Sequence, residues 1–365
     1  MKIVIATKSF YYQRIGGAEY QCYLISKFLI ENGHEVHYLY LSNRSLTNYS
    51  SPIIIHKIKK LKHIGRTGLE TPLYFLKLIR VLNEIDPDVI YLRGRSAISI
   101  ICCIFAKIKK IRTIFHIAHD NDLLKPRIIF SFKNILKYPE HKLFAHLLYH
   151  FHRIISQTTF QSKKLYHYFG ISSFIIPNGH PAPKVKKFKK CNNNIKVFWV
   201  ANLKPMKRPD IFIRLAQILG YNKNLKFMMI GRSNNNNSRI INDINNTPNL
   251  YFLGEVQNEI VNKHLEEAHI LVNTSIAEGF SNTFIQAWMR KVPVVSLNVD
   301  PDGIIKKYNL GFHSTSFNQL VIDVMTLANN QFLREEMGTR AQIFAFQNYS
   351  LNNIYRVVNL IENSH

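Results

Sequence analysis

The chain has 365 residues, 46% of them hydrophobic and 12% aromatic, and its formal net charge at pH 7 is +25. This length allows two hydrophobic cores of ordinary domain size, so we expect two domains. The longest apolar stretch, residues 97–106, is far shorter than the roughly 20 residues that a membrane-spanning helix needs. The sequence therefore argues against a membrane-spanning protein.

The N-terminal residues and the cysteines bear on the cellular compartment. Residues 1–10 contain a short apolar run without a small-residue cleavage site after it, which predicts a first strand and not a secretory signal. The cysteines lack metal-type spacing, and with no export signal we expect them to stay reduced in a cytoplasm. We therefore expect a cytoplasmic protein with no disulfide framework and no structural zinc. The four cysteines are Cys22, Cys102, Cys103 and Cys191.

The excess positive charge lies mainly in the first half of the chain. Residues 56–66 and 123–153 interleave Lys, Arg and His with Ile, Leu, Phe and Tyr, a composition that suits a helix on an anionic membrane surface. The alternative is a solvated basic face. Nucleic acid is a weaker candidate partner, because we find no helix-turn-helix, zinc-finger or RNP-type signature.

Strand and helix patterns alternate in the first part of the chain. Residues 2–7 predict a buried strand, 19–33 a helix and 35–41 a second strand, and residues 87–92, 98–109 and 112–118 repeat strand, helix and strand. Such crossovers build a parallel sheet with helices on both faces. The loops at Gly16, Arg93 and His119 should then open onto one edge of that sheet, where ligands bind.

The pattern is interrupted at residues 174–194, where a strand and a Pro-Asn-Gly turn lead into a Pro-, Lys- and Asn-rich stretch. Alternation resumes with a strand at 195–203, a helix at 208–219 and a strand at 226–231. We predict an N-terminal domain of residues 1–180 and a C-terminal domain of residues 181–350, with the helical segment 351–365 a candidate to return to the first. The predicted fold is α/β, with two Rossmann-like domains facing each other across a cleft.

Several motifs carry a resemblance to a known family. They are the Gly16-Gly17 loop, IPNG at 176–179, WVANLKPMKRPD at 199–210, and NTSIAEGFSNTFIQAW at 273–288 followed by VPVVS at 292–296. With these motifs the chain resembles the GT-B-fold glycosyltransferases of family 4 over nearly its whole length. The resemblance implies a nucleotide-sugar donor, retention of the anomeric configuration, and no obligatory metal or other cofactor.

The segment from Glu278 onward is interpreted as a clamp for the sugar donor. Gly279 lets the backbone approach a ligand closely, and the N–H groups near a helix start at Ser281, Asn282 and Thr283 favour a diphosphate. The resemblance implies that Glu278 faces the transferred sugar and that the second acid of the family's pair holds the ribose. Here that second position is a glutamine. The predicted donor-binding residues of this segment are Gly279, Phe280, Ser281, Asn282, Thr283 and Gln286.

Two cations follow the strand at 195–203. The family usually has an arginine and, five residues later, a lysine that both contact phosphates, and this chain keeps Lys207 but has Asn202 in place of the arginine. Arg208 is a candidate to supply the missing charge. Lys207 and Arg208, with Gly16 and Gly17 of the first domain, complete the predicted donor-binding set. The alternative for the two cations is a loop pair that solvates a helix entrance.

Two histidines and two aspartates follow the strand at 112–118. The family commonly has a histidine, often followed by an acid, at this position near the transferred sugar. We prefer His119 and Asp120 over His116, because His116 should lie within the strand. His119, Asp120 and Glu278 are the predicted catalytic residues, while a purely structural role for His119 stays open.

These features predict a retaining hexosyltransferase-type enzyme on the inner face of the cell membrane. It would move a sugar from a nucleotide-diphosphate sugar to a hydroxyl of a growing, lipid-linked surface-polysaccharide precursor, and its basic N-terminal domain would contact the anionic membrane. Two alternatives stay open: a GT-B sugar-nucleotide epimerase, and an inactive glycan- or polyanion-binding protein.

Overall fold

The computed structural model describes residues 1–13, 16–43, 51–60, 70–124, 132–184, 188, 190, 194–233 and 237–363. The chain divides into two compact units. The first unit comprises residues Met1–Gly179 and Asn352–His365, and the second comprises His180–Leu351. The chain therefore leaves the first unit after Gly179 and re-enters it at Asn352.

The first unit is built on one seven-stranded sheet whose strands are all parallel. The strand order is β3-β2-β1-β4-β5-β6-β7. The strands are β1 (Lys2–Ala6), β2 (Glu35–Leu41), β3 (Ile54–Ile58), β4 (Val89–Arg93), β5 (Arg112–His116), β6 (Arg153–Ser156) and β7 (Phe174–Ile175). The helices are α1 (Gly17–Glu31), α2 (Glu70–Ile85), α3 (Ala97–Lys109), α4 (Phe132–Leu147), α5 (Thr159–Phe169) and α13 (Asn352–Glu362).

Local sequence signals fix several ends of these helices. Ser96 caps α3 in a reciprocal capping box with Ser99, which satisfies N–H groups that a helix start leaves without partners. Thr158 caps α5 through its side chain, and Gly170 ends the same helix at φ +66°, a left-handed conformation that favours glycine. The apolar faces of these helices pack on β1, β4 and β5 to form the core of the unit.

The second unit contains a six-stranded parallel sheet with the order β10-β9-β8-β11-β12-β13. Two apolar clusters, one on each face of the sheet, form its core. The strands are β8 (Ile195–Val200), β9 (Leu225–Ile230), β10 (Leu250–Phe252), β11 (Ile270–Asn273), β12 (Val294–Ser296) and β13 (Gly311–His313). The helices are α6 (Pro209–Leu219), α7 (Ser238–Asn245), α8 (Asn258–Glu266), α9 (Asn282–Trp288), α10 (Ile304–Lys307), α11 (Phe317–Asn329) and α12 (Gln331–Asn348).

Each sheet has one point at which the chain order reverses direction. In the first unit the reversal lies between β1 and β4, and in the second it lies between β8 and β11. In open parallel sheets, ligands bind beyond the carboxyl ends of the strands at such a switch point. The loop after β8 carries Lys207, and the turn after β11 carries Glu278. The fold therefore places both of these predicted site residues at the switch point.

The predicted fold of two α/β Rossmann-like domains is confirmed by these two sheets with their alternating helices. No helix among the described residues is long and apolar enough to cross a membrane. Cys22, Cys102 and Cys103 are buried free thiols, and Cys191 lies outside the described residues. Parts of the two basic stretches, residues 61–66 and 125–131, also lie outside them.

Candidate active site

An ion pair stands at the switch point of the second sheet. The Lys207 ammonium lies 2.9 Å from Glu278 Oε1, and the side chain of Glu278 is only 9% exposed while that of Lys207 is 27% exposed. Lys207 ends a short 3₁₀ turn after β8, and Glu278 precedes α9. Two predicted site residues, 71 positions apart in sequence, are thus brought into direct contact by the crossover between adjacent strands.

Hydrogen bonds hold the Glu278 carboxylate from one side. Asn273 Nδ2 donates to Oε1 at 2.9 Å, and the Ser275 hydroxyl donates to the same oxygen at 2.6 Å. Burial by itself would raise the pKa of Glu278, but the Lys207 charge and these hydrogen bonds outweigh it and hold the pKa below its ordinary value. The carboxylate is therefore ionised at neutral pH. Among the described residues, Oε2 receives no hydrogen bond, so it is the oxygen left for a ligand.

Thr274 positions the loop that carries Lys207, and sequence reasoning did not single it out. Its buried hydroxyl lies 2.7 Å from the carbonyl oxygen of Lys207 and 2.8 Å from that of Arg208, so its proton is shared between them. The same hydroxyl accepts a hydrogen bond from Trp199 Nε1 at 2.9 Å. In addition, the Ile276 N–H donates to the Met206 carbonyl at 2.9 Å. These bonds tie the loop after β8 to the turn after β11.

The predicted helix start lies where the sequence places it. Ser281 precedes α9 without a side-chain cap, and its hydroxyl contacts the Thr283 hydroxyl at 2.9 Å. Gly279 is buried in the turn between Glu278 and this helix. The helix has seven residues, so its dipole is that of barely two turns and the nearby cations carry more of any attraction for an anion.

Phe280 differs from the prediction of a donor-binding side chain. It is 8% exposed, and its ring centroid lies 4.9 Å from that of Tyr349 and 6.4 Å from that of Trp288. Burial of its apolar ring in this aromatic cluster is favourable, so the side chain turns into the core. Phe280 therefore anchors the turn that presents Glu278.

Asn282 has a buried partner that the sequence did not reveal. His180 is 2% exposed, and its Nε2 lies 2.9 Å from Asn282 Oδ1. Burial lowers the pKa of His180 to about 4, with the hydrogen bond to Asn282 acting against it and the Arg290 charge acting in the same direction. The imidazole is thus neutral near pH 7, and its Nε2–H donates to the Asn282 oxygen.

Gln286 takes part in a buried amide network. It is 3% exposed, and its Nε2 donates to Asn258 Oδ1 at 2.8 Å and to Asn262 Oδ1 at 2.9 Å. Both amide hydrogens are therefore engaged by α8. Its Oε1 accepts no hydrogen bond from the part of the chain that the structure describes. Gln286 retains one acceptor atom and contributes no charge.

Arg208 does not supply the free cation that the sequence suggested. Its guanidinium forms a bidentate pair with Asp210, with Nε 3.0 Å from Oδ1 and Nη2 2.8 Å from Oδ2. This geometry matches the planar fork of arginine to a carboxylate, and it neutralises the charge locally. Arg208 therefore belongs to the start of α6, while its neighbour Lys207 turns to Glu278.

His119 and Asp120 lie in the first unit, after β5. His119 Nδ1 accepts the Asn121 N–H at 3.1 Å, so the neutral ring carries its proton on Nε2. Asp120 Oδ1 accepts a hydrogen bond from Gln161 Nε2 at 2.9 Å, and burial raises the pKa of Asp120 above its ordinary value. The two residues are held by separate partners and not by each other.

The second aspartate of this loop has a structural role. Asp122 accepts the N–H groups of Ala118 at 2.9 Å and His119 at 3.0 Å through Oδ2, and that of Arg95 at 3.1 Å through Oδ1. It thereby joins the loops that follow β4 and β5. His116 lies in β5, where it is 1% exposed and contacts Arg93.

Gly16 and Gly17 lie at the start of α1, with Gly16 as the residue before the helix. A Cβ atom on Gly16 would stand 2.3 Å from Glu19 Oε2, so a larger residue here would displace that side chain. Among the described residues, no group of three or more His, Cys, Asp or Glu side chains is arranged to hold a metal ion. Independence from metal stays a prediction.

Two family models match this chain. The model described as "Glycosyltransferase Family 4" matches residues 15–181, and the model described as "Glycosyl transferases group 1" matches residues 194–330. The first matched segment lies in the N-terminal unit and continues two residues beyond it, and the second lies within the C-terminal unit. The predicted enzyme class, a glycosyltransferase, is confirmed by these two matches.

Individual relatives agree with the family models. The chain is 28% identical over 193 residues to the poly(ribitol-phosphate) alpha-N-acetylglucosaminyltransferase of Staphylococcus aureus (strain COL), a match of 51% of this chain and 37% of that protein. Among solved structures, Anabaena Alr3699/HepE in complex with UDP and glucose is similar over the whole of both chains, with a TM-score of 0.72 and 17% identity. Sucrose-phosphate synthase from Thermosynechococcus elongatus has a TM-score of 0.79 and 11% identity, with 99% of this chain and 98% of that one covered. The chain belongs to the glycosyltransferases of the GT-B type.

Proposed function

We propose that this enzyme transfers a sugar, with retention of anomeric configuration, from a uridine-diphosphate sugar to a hydroxyl of a growing surface polysaccharide. The observation that carries the proposal is the contact between Lys207 and Glu278 at the switch point of the second sheet. It places a cation and an ionised carboxylate where ligands of parallel sheets bind. The carboxylate is suited to sugar hydroxyls, and the ammonium to phosphate.

The two side chains would bind different parts of the donor, Glu278 the sugar and Lys207 the diphosphate. Glu278 Oε1 is taken up by Lys207, Asn273 and Ser275, which leaves Oε2 to accept a hydroxyl hydrogen bond from the transferred sugar. Lys207 has three N–H donors, and its remaining donors can reach the diphosphate. Charge stabilisation of the departing diphosphate would be its main contribution to the rate.

Uridine is favoured as the nucleoside because Alr3699/HepE, similar over its whole length, is solved with UDP and glucose. Gln286 offers its Oε1 to a ribose hydroxyl, in a position where the family has an acid. The lysine and the start of α9 would contribute to stabilising the leaving-group charge without a metal ion. His119 and Asp120 are proposed to act at the transferred sugar.

A polymeric acceptor is favoured by both charge and relatedness. The chain has a net charge of +25, and its Staphylococcus aureus relative is named for a polymer of ribitol phosphate, a polyanion. The described end of the basic stretch 123–153 exposes Leu143 and Tyr149 beside Lys142 and His146. Apolar and basic groups together suit an anionic membrane. We propose a lipid-linked acceptor reached by peripheral binding at the inner membrane face.

Hydrolysis and binding of UDP-sugars test the function. We expect a panel of UDP-, GDP-, ADP- and dTDP-sugars to show thermal stabilisation by the uridine compounds, because a ligand of the native state raises its melting temperature. One UDP-sugar should be hydrolysed slowly without acceptor, with the α-configured sugar released from an α-linked donor. Glu278→Gln should abolish hydrolysis, and Glu259→Gln, exposed on α8, serves as the matched control.

The alternatives give different products. An epimerase would return an isomerised nucleotide sugar and no free sugar. A binding protein would be stabilised by a sugar nucleotide or a polyanion without turnover. Release of a sugar with inverted anomeric configuration would contradict retention.

The enzyme should keep full activity after exhaustive chelation of divalent metals, if Lys207 provides the charge that a metal ion would otherwise supply.

A further inference from the structure

A second arginine of the C-terminal unit has an unsatisfied side chain. Arg232 is half-buried, and its Nε is buried without a hydrogen-bond partner. Among the described residues, no hydrogen bond or ion pair includes its guanidinium. A buried charge normally has a partner, because its loss of hydration is costly otherwise. An arginine that is partly buried and unpaired therefore points to an anion from outside the chain.

Backbone contacts place Arg232 at the ligand edge of the second sheet. It directly follows β9 and Gly231, and its N–H donates to Asn202 Oδ1 at 3.2 Å. Its carbonyl accepts the Leu203 N–H at 3.0 Å. Arg232 is thus joined to the start of the same loop that carries Lys207.

Close packing explains how this arginine comes so near the β8 loop. A Cβ atom on Gly231 would lie 1.7 Å from the Ala201 carbonyl oxygen, and Gly231 has φ +157°. Only glycine lets these two backbone segments approach each other this closely. The end of the strand therefore brings the backbone of Arg232 directly beside the loop after β8.

The two cations of the loop after β8 are each paired with a carboxylate. The Lys207 charge is matched by Glu278, and the Arg208 charge is matched by Asp210. Neither pair brings net positive charge to a ligand. A nucleoside diphosphate carries two or more negative charges near neutral pH, so an unpaired cation beside the pair would contribute strongly to its binding.

We propose that Arg232 contacts the diphosphate of the bound nucleotide sugar. This inference rests on the proposed function and adds to it the cation that the Lys207 and Glu278 pair lacks. Asn202, by accepting the Arg232 N–H, positions the arginine instead of contacting the phosphate itself. The guanidinium replaces lost hydration by hydrogen bonds to phosphate oxygens once the donor binds.

Calorimetric titration with UDP and with uridine separates a phosphate contact from a nucleoside contact. We expect Arg232→Gln to raise the Kd for UDP roughly 10- to 100-fold, the range of a charge-assisted hydrogen bond, and to leave the Kd for uridine unchanged. Arg239→Gln, exposed on α7, is the matched control and should bind UDP like the wild type. Ligand-free Arg232→Gln should melt at the wild-type temperature or above, because it removes an unpaired buried charge.

The other outcomes overturn the inference in distinguishable ways. Wild-type UDP affinity in Arg232→Gln, with affinity lost in Lys207→Ala, would reject the Arg232 contact and leave the proposed function standing. Equal losses for UDP and uridine would reject a phosphate contact. A variant that melts much lower or fails to fold would show that Arg232 has a structural role. Absence of UDP binding by the wild type would overturn both proposals.

Discussion

The hydroxyl of Thr274 lies 2.7 Å from the carbonyl oxygen of Lys207, 67 residues away in sequence. This buried hydroxyl also receives the indole N–H of Trp199. One side chain thereby fixes the backbone from which Lys207 reaches Glu278. The position of Lys207, the candidate phosphate-binding residue, therefore depends on this buried threonine.

Replacing Thr274 by valine should separate the loop from the strand end. Thr274→Val leaves the Trp199 N–H and two carbonyl groups without their partner, so we expect the free energy of unfolding to fall by about 1–3 kcal/mol. Hydrolysis of the UDP-sugar should fall at least about tenfold, because a small displacement of Lys207 weakens its contact with the leaving group. Denaturant unfolding and initial rates measure the two effects. Thr274→Ser, which keeps the hydroxyl, should recover most of both, and wild-type rates in the valine variant would contradict the positioning role.

The pair of Lys207 and Glu278 should show strong coupling in stability. Lys207→Met leaves the largely buried Glu278 carboxylate without its countercharge. We expect a loss of about 1–3 kcal/mol, less than the roughly 3–5 kcal/mol of a fully buried pair, because the Lys207 side chain is 27% exposed. The double variant Lys207→Met/Glu278→Gln should lose less than the sum of the two single changes, because neither charge is then left alone. Urea unfolding of the four proteins gives the coupling free energy. Simple additivity would mean that solvent already screens the pair.

Gln286 should report on the ribose of the donor. If its Oε1 accepts a ribose hydroxyl, the wild type should bind UDP more tightly than 2′,3′-dideoxy-UDP, by several-fold for a neutral hydrogen bond. Gln286→Leu should remove that difference. The same change leaves Asn258 Oδ1 and Asn262 Oδ1 without the amide donor, so ligand-free stability should also fall. An unchanged preference for UDP in Gln286→Leu would assign the glutamine to the core network alone.

Acid should destabilise the protein through His180. The pKa of His180 is lowered from 6.5 to about 4 in the folded protein, so between these values the unfolded chain binds a proton that the native state does not. Stability contributed by the neutral imidazole is then lost as the pH falls from about 6.5 towards 4, by up to about 3 kcal/mol for this group. Thermal unfolding at pH 7 and pH 5 should show a smaller acid effect in His180→Gln than in the wild type. His167→Gln, an exposed histidine of α5, should match the wild type.

Much of the fold could be read from the sequence because its signals are local. The apolar run at 2–7 became β1, the pattern at 208–219 became α6, and the helix predicted from Asn282 begins at that residue as α9. Strand and helix periodicities differ over a few residues, and repeated crossovers allow only a parallel sheet of this kind. The turn with Glu278 and Gly279 and the start of α9 after β11 were also predicted, because their signals lie in adjacent residues.

The sequence did not reveal which groups the site residues contact, because the tertiary structure determines those contacts. Arg208 was a candidate cation because it lies beside Lys207 in sequence. Adjacent side chains point in different directions, however, and Arg208 forms an ion pair with Asp210. Spacing in the sequence contains no information on which distant groups meet. Thr274, His180 and Arg232 were therefore not predicted, since each matters through contacts made only after the strands are aligned.

The sequence by itself determined two parallel α/β units, the order of their elements and the family-like acid, glycine and lysine. Local backbone preference and hydrophobic periodicity are sufficient for that. Only the tertiary structure decided that Lys207 meets Glu278 and that Phe280 turns inward. It also decided that Arg232, beside the loop that carries Lys207, is unpaired among the described residues. Burial and hydrogen bonding select those contacts from many alternatives, because each polar group must find a partner among residues that the fold, and not the chain order, brings near.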